Sequence, residues 1–281
     1  MLSVLNRQRL FLGWFMFPFI EIFGRQIPVY AIMAILGAAA LCGVSVIFAK
    51  LRGKVPAEDI FYMLLYAGIG CLIGSKLLYL IVSVDVYWLD GKSLKENFRY
   101  WLVLLTSGGL VFYGGLIGAA LGALRYCTHF KVPAGDAFET VIPAVPLFHF
   151  FGRLGCFAAG CCYGKEYDGI LSVTFKNAIG APNGVPLLPV QLFEAAGNLL
   201  LFAVLTVLYL KAFPKLSLTG LYLVCYAAMR FTLEFFRGDD IRGNALSLSV
   251  SQWISIAAFA FGTVLIVKRC KNREILSRGN S

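Results

Sequence analysis

Arg230, Glu234 and Arg237 recur at i, i+4 and i+7, which puts all three on one face of a helix, with Tyr226 a turn earlier on the same stripe. Two guanidinium groups about 10 Å apart along the axis, with a carboxylate to orient one of them, suit a phosphate. The same spacing also permits a plainer arrangement: an Arg–Glu pair that neutralises itself, and a second arginine whose stem reaches to an interface.

A third arginine lies in the segment His149-Phe-Phe-Gly152-Arg153-Leu-Gly155-Cys156-Phe-Ala-Ala-Gly160-Cys161-Cys162-Tyr163-Gly164. Glycines there let a backbone approach a ligand closely, and Arg153 has no acid nearby in its own helix to neutralise it, which favours a headgroup phosphate as its partner. Pro189-Val-Gln191-Leu-Phe-Glu194 opens another apolar run with an amide and a carboxylate. The run Gly108-Gly109-Leu-Val-Phe-Tyr113-Gly114-Gly115-Leu-Ile-Gly118 continues to Gly122. Its Gly114, Gly118 and Gly122 form a small-residue stripe of the kind that packs helices closely in lipid, and Tyr113 stands beside the double glycine, where a hydroxyl has room to face a cavity.

These groups are set in a chain that must hold them in an apolar medium. Its 281 residues are 59% hydrophobic and 14% charged, with mean hydropathy +0.77, whereas soluble domains have about 45–50% apolar and about 25% charged residues. One soluble core of this size cannot hide that surplus, so the composition excludes a water-soluble enzyme, a disordered chain and a small secreted disulfide scaffold. The net charge of +10 comes from basic residues bunched after apolar runs: Lys50, Arg52 and Lys54, then Lys211 and Lys215, then Lys268, Arg269, Lys271 and Arg273. That is the pattern of membrane topology, and nucleic acid is not expected as a partner.

A spanning helix needs about 20 mainly apolar residues, and seven segments qualify: 29–49, 60–82, 104–127, 136–158, 189–210, 217–236 and 246–267. The expected fold is therefore an all-α polytopic membrane protein in a single integral domain, 1–281. Residues 1–28 are expected to lie in the interface, since Pro18 and Glu21 interrupt what would otherwise imitate a signal peptide. The basic tail 268–281 is expected in the cytoplasm and the N-terminus outside, with outer loops at 83–103 and 159–188. Tyr87-Trp88 and Tyr100-Trp101 suit the headgroup level, and the polar stretch 165–188 is expected to form a small cap. Charges inside such spans are costly. With this orientation Tyr30, Arg153, Gln191, Glu194 and the Arg230–Arg237 face all fall toward the outer leaflet, which implies one polar cavity opening there.

In this order and spacing the residues resemble the prolipoprotein diacylglyceryl transferase family over nearly the whole chain. The resemblance is carried by Phe17-Pro18, Val29-Tyr30, Gly74-Ser-Lys-Leu-Leu-Tyr79, Gly108-Gly109 to Gly118, and Phe151-Gly152-Arg153-Leu-Gly155 on to Gly160 and Gly164. Pro189, Gln191 and Glu194, then Arg230 with Glu234 and Arg237, then Leu248-Ser249 and Gln252 complete it. It implies an enzyme of the bacterial plasma membrane that moves the diacylglyceryl group of phosphatidylglycerol onto the lipobox cysteine of a prolipoprotein, forming a thioether and releasing glycerol 1-phosphate. Arginines that hold the phosphate more tightly as charge develops lower such a barrier, and the acceptor thiol must lose its proton to react.

By matching positions, Arg153 resembles the headgroup-binding arginine of the family and Arg230 the second essential one. Glu234 and Tyr113 join them as catalytic candidates. Tyr30, Arg237, Gln191, Glu194, Gly114, Gly115, Cys156 and Gly164 form the expected substrate-binding shell. No cofactor is implied, and one chain holds every polar feature, so a monomer is expected. Two departures stand out. Where the family commonly has a histidine thought to assist thiol deprotonation, this chain has Tyr113, and a phenol titrating near about 10 is a poor base at neutral pH. The family stretch Gly-Asn-Phe-x-Asn-Gly-Glu reads Gly155-Cys156-Phe-Ala-Ala159-Gly160-Cys161 here, so two amides and a carboxylate are gone.

Two other classes of function compete. The same arginines suit a carrier or binder of anionic lipid, although no inverted repeat is visible. Cys156, Cys161 and Cys162, with His149, raise a metal or redox membrane protein. Against that, Cys156 and Cys161 are five residues apart, which matches no helical face or familiar ligand spacing, and the adjacent Cys161 and Cys162 are awkward partners for one ion. No metal ligands are assigned from sequence. Cys42, Cys71 and Cys225 sit in apolar runs as small packing residues.

Overall fold

In the computed structural model, residues 17–52, 54–83, 109–211, 217–239 and 248–278 are described, with short pieces at 98–99, 102–103, 105 and 244–245. The expected outer-loop aromatics Tyr87-Trp88 and Tyr100-Trp101, the first sixteen residues and Lys215 lie outside the described residues. The chain divides into two compact units, one formed by the chain up to Ser45 together with Glu139 onward, the other by Val46–Phe138.

The described structure is mostly helical. Among the described residues, five stretches are long and apolar enough to cross a membrane: Val29–Arg52, Ala57–Val82, Ala134–Ala159, Val190–Leu210 and Val250–Lys271. Their ends follow local chemistry. Helix α1 (Val29–Arg52) closes on Lys50 and Arg52, and α2 (Ala57–Val82) opens after Pro56 with Glu58 and Asp59 in its first turn, charges that complement the helix dipole at each end. The third stretch is α4 (Ala134–Val141), a 3₁₀ turn Ile142–Ala144 and α5 (Val145–Ala159). Pro143 and Pro146 remove backbone donors at that junction. Gly160, with φ 67°, ends α5 in the left-handed conformation that glycine adopts without strain.

Two of the seven expected spans are shorter helices. In the segment expected from residue 104, the described residues from 109 onward form α3 (Phe112–His129), entered from Val111, which is extended and donates its N–H to the Ser75 carbonyl at 3.2 Å. The segment expected to run to 236 is α7 (Leu218–Glu234), because Lys165 N–H reaches the Phe236 carbonyl at 2.9 Å and draws the chain out of the helix. Between α5 and α7 lies α6 (Val190–Leu210). The last helix, α8 (Val250–Arg278), runs on well into the stretch expected as a tail.

Three small antiparallel pairs were not expected: β1 (Phe19–Ile22) with β2 (Arg25–Pro28), β3 (Val173–Thr174) with β4 (Pro186–Leu187), and β5 (Asn244–Ala245) with β6 (Leu248–Ser249). The first turns through Phe23 and Gly24, both at positive φ, the signature of a two-residue hairpin turn. The second belongs to the stretch read as a cap. Phe157, Val173, Phe175, Ala181 and Leu187 bury one another there, so this polar-looking segment carries an apolar core of its own.

In the second unit, α2 packs on α3 through backbone contact. A Cβ on Gly114 would strike the Gly74 carbonyl, one on Gly118 the Gly70 carbonyl, and one on Gly122 the Tyr66 carbonyl. The small-residue stripe thus packs helices, as its spacing implies. In the first unit, α5 packs on α6, α6 on α7, and α7 on α8.

Candidate active site

The first unit gathers its buried charges from the C-terminal part of α5, the start of α6 and the C-terminal part of α7. Arg153 on α5 meets Glu194 on α6, Nη2 to Oε1 at 2.8 Å, and the carboxylate is almost fully buried. The acid absent from Arg153's own helix is thus supplied by the next one. Tyr226 Oη on α7 donates to the same Glu194 oxygen at 3.4 Å. Tyr226 also lies within electrostatic reach of both Arg153 and Arg230, which ties the α5–α6 pair to the α7 face.

On that face, Arg230 Nη1 and Glu234 Oε2 are 2.6 Å apart, and Arg230 Nη2 donates to Ser251 Oγ of α8 at 3.2 Å. Glu234 accepts a second bond from Ser249 Oγ at 2.8 Å and stands 3.8 Å from Arg237 Nε. The intrahelical Arg–Glu pair foreseen as the plainer arrangement therefore exists, but the second arginine does not reach outward. Arg237 is buried, and its guanidinium grips Asp239 with two parallel bonds, Nε to Oδ1 at 2.8 Å. Each site arginine is held by a carboxylate in a fixed direction, an arrangement that presents guanidinium edges to an anion at little reorganisation cost.

The backbone around this cluster is clipped together. Gly164 and Arg237 form an antiparallel bridge, Gly164 N–H donates to the Leu188 carbonyl at 3.1 Å, and Gly238 N–H donates to the Tyr163 carbonyl at 3.1 Å. A Cβ on Gly164 would strike that Leu188 carbonyl, so glycine here permits the strand-like approach. Gln191, fully buried, donates Nε2 to the Cys161 carbonyl at 2.8 Å. Tyr30, near the start of α1, lies over Gly155, where an added Cβ would come within 3.2 Å of the tyrosine.

The three cysteines converge. Their sulfurs lie within 4.8 Å of one another, despite the five-residue gap and the adjacent pair. Cys161 N–H bonds back to the Cys156 carbonyl at 3.0 Å, and Cys162 takes a left-handed φ of 59°, so the chain doubles back and carries both side chains to the end of α5. Hydrogen bonds from the Cys156 and Cys161 thiols, with Arg237 and Arg153 close by, hold the Cys162 thiol far below its ordinary range, while the same network pushes Cys161 up.

Of the expected site residues, Arg153, Arg230, Glu234, Arg237, Gln191, Glu194, Cys156, Gly164 and Tyr30 belong to the first unit. Tyr113, Gly114 and Gly115 belong to the second, where Gly114 abuts Gly74 and Leu78, and Gly115 abuts Ser75 and Cys71. Sequence reasoning missed Asp239 and Ser251. His149, named with the cysteines in the metal or redox reading, does not join them but shares a 3.3 Å hydrogen bond with Tyr222 and lies with its ring 4.9 Å from that of Tyr226.

Residues 18–268 match the family described as prolipoprotein diacylglyceryl transferase. A phosphatidylglycerol–prolipoprotein diacylglyceryl transferase of Clostridium tetani is 35% identical over 245 residues, spanning 86% of this chain and 93% of its own. A second of that description from Clostridium perfringens is 31% identical over 256 residues, 90% of this chain and 96% of its own. One from Dehalococcoides mccartyi is 31% identical over 248 residues, 87% and 90% of the two chains. With the match covering nearly all of the helical bundle and every charged group just described, the chain belongs to the prolipoprotein diacylglyceryl transferase family.

Proposed function

We propose that this protein transfers the diacylglyceryl group of phosphatidylglycerol to the lipobox cysteine of prolipoproteins in the bacterial cell membrane. The single observation that carries the reading is the buried cluster of Arg153, Arg230 and Arg237, each directed by its own carboxylate. Such a cluster suits a reaction whose leaving group is a phosphate ester. As the glyceryl C–O bond breaks, negative charge grows on the phosphate oxygen, and donors already aimed at it need not reorient. The acceptor sulfur forms the new C–S bond, and glycerol 1-phosphate departs.

Arg153 and Arg230 hold the phosphate in this reading, with Glu234 and Glu194 setting their directions. Arg237, Gln191, Tyr30, Cys156 and Gly164 shape the surrounding pocket. The finer topology belongs to the same proposal: seven spans in one integral membrane domain, the N-terminus outside, the basic C-terminal end in the cytoplasm, the site toward the outer leaflet and a monomer as the working unit. A carrier of anionic lipid would need the same arginines but would leave its lipid unchanged.

The test is a reconstituted assay with purified protein, phosphatidylglycerol and a lipobox peptide, followed by mass spectrometry of the peptide. A diacylglyceryl increment on the cysteine that Arg153→Ala abolishes is the expected result. Lipid binding with no increment under any condition would replace transfer with carriage.

A further inference from the structure

Cys156, Cys161 and Cys162 bring their sulfurs within 4.8 Å of one another, and among the described residues no His, Asp or Glu joins that group. Three sulfurs around one ion at bonds of about 2.3 Å stand roughly 3.8 Å apart in tetrahedral geometry, so small side-chain rotations close the observed spacing onto an ion. Two features pre-build the arrangement. Gly160 and Cys162 both take left-handed φ values, 67° and 59°, and glycine adopts this conformation freely while cysteine does so at a cost. Gln191 then fixes the turn from α6 through its bond to the Cys161 carbonyl at 2.8 Å, in the manner of the outer hydrogen bonds that orient ligands at metal sites.

We propose that these three cysteines bind one thiophilic divalent cation of the Zn²⁺ type and that its fourth position takes the acceptor thiol. Three protein ligands with one open position are the arrangement of reactive rather than structural zinc. The charge fits the neighbourhood. Three thiolates around a dication leave one net negative charge, two once the acceptor thiolate is bound, and the Arg153 and Arg237 guanidinium groups close to Cys162 offset it. The location fits as well, because Arg153 holds the phosphate and Arg237 lines its pocket in the transfer reading, on which this second half of the proposal rests.

The step balances without any redox partner. Each protein thiol gives up a proton when the ion binds. The acceptor R–SH then coordinates and loses its proton to water, since a coordinated thiol is deprotonated. A lone pair on that sulfur attacks the glyceryl carbon, the C–O bond breaks with its pair going to the phosphate oxygen, and the thioether leaves the ion. Thiol activation would then come from the ion, in a chain that has Tyr113 where a base is expected.

The test uses the whole protein in detergent or nanodiscs, purified with reductant. Metal analysis and titration with Zn²⁺, and with Co²⁺ followed by its sulfur-to-metal charge-transfer absorption, should give one ion per chain. Cys161→Ser and Cys162→Ser, each checked for normal helical content, should each weaken binding about tenfold or more. Chelation should lower thioether formation by a similar factor without lowering phosphatidylglycerol binding, and added Zn²⁺ should restore it. Absence of stoichiometric metal in the folded wild-type protein, or a disulfide among the three sulfurs in protein purified under anaerobic conditions, overturns the site. One ion bound with equal transfer before and after chelation overturns its role in thiol activation. Metal bound with no transfer in either state counts against the transfer reading itself and leaves the ion site standing.

Discussion

The Arg153 guanidinium and the Glu194 carboxylate face each other at 2.8 Å across the α5–α6 interface, with the glutamate almost wholly shielded. A buried carboxylate in an apolar surround is costly without a cation. The pair therefore fixes the arginine's direction and keeps α5 and α6 in register.

Breaking this pair from either side should destabilise the protein. Glu194→Gln leaves a largely shielded guanidinium without its counter-charge, a loss of about 3–5 kcal/mol for buried pairs, and Arg153→Ala does the same to the carboxylate. Thermal unfolding in detergent should show both losses. The double variant Arg153→Met with Glu194→Leu should recover most of the stability while transfer stays abolished. Transfer in that double variant would remove Arg153 from the reaction.

Arg230 uses its fork to span two helices, Glu234 on its own and Ser251 on α8. Lysine offers one compact ammonium and cannot hold both directions and a phosphate at once. Arg230→Lys should therefore lose transfer almost as fully as Arg230→Ala, by about 10²-fold or more in kcat/KM. A near-normal rate for the lysine variant would mean that a point charge suffices.

What the sequence made legible follows from the range of each interaction. Helices announce themselves by apolar runs, and the Arg230–Glu234 pair by helical spacing, because both are local. The Gly114–Gly118–Gly122 stripe likewise read correctly as packing, since its period alone aligns it. Arg153 with Glu194 was not legible, because the partners sit 41 residues apart on different helices. Asp239 was hidden for another reason: the chain leaves the helix after Glu234 to pair with Gly164, which turns Arg237 back onto it. The meeting of the cysteines depends on a left-handed φ at Cys162, a conformation that a non-glycine residue gives no sign of in advance. Glycine at 160 was the available hint.

The start of α7 makes a different claim on stability. Glu139 accepts bonds from Ser217 Oγ, Leu218 N–H and Thr219 N–H at 2.8, 2.8 and 3.3 Å, and Ser217 Oγ in turn accepts from Gly220 N–H at 3.2 Å. A carboxylate at a helix N-terminus satisfies donors that have no intrahelical partner and meets the positive end of the dipole. Ser217→Ala should cost about 0.5–2 kcal/mol, and Glu139→Ala at least as much. Both should appear in thermal unfolding, with kcat of the folded fraction little changed, because this cap lies at the end of α7 remote from Arg230. A selective loss of kcat would place Glu139 in the chemistry.

The packing of α2 on α3 can be tested against a control within the same helix. Gly70 and Gly74 meet the backbone of Gly118 and Gly114, where an added Cβ has no space, whereas Gly68 has nothing within 4 Å of the Cβ position. Backbone in contact with backbone cannot yield as a flexible side chain does, so Gly70→Ala and Gly74→Ala must push the helices apart. Overpacking of this kind costs about 1–3 kcal/mol. Gly68→Ala meets no obstacle and gains the better helix propensity of alanine, about 0.8–1 kcal/mol in isolated helices. Melting temperatures should therefore fall for the first two variants and stay level or rise for the third. Equal effects at all three positions would mean that α2 and α3 are not held by glycine contact. Loss at Gly74 alone, with Gly70 indifferent, would confine the close approach to one end of the pair.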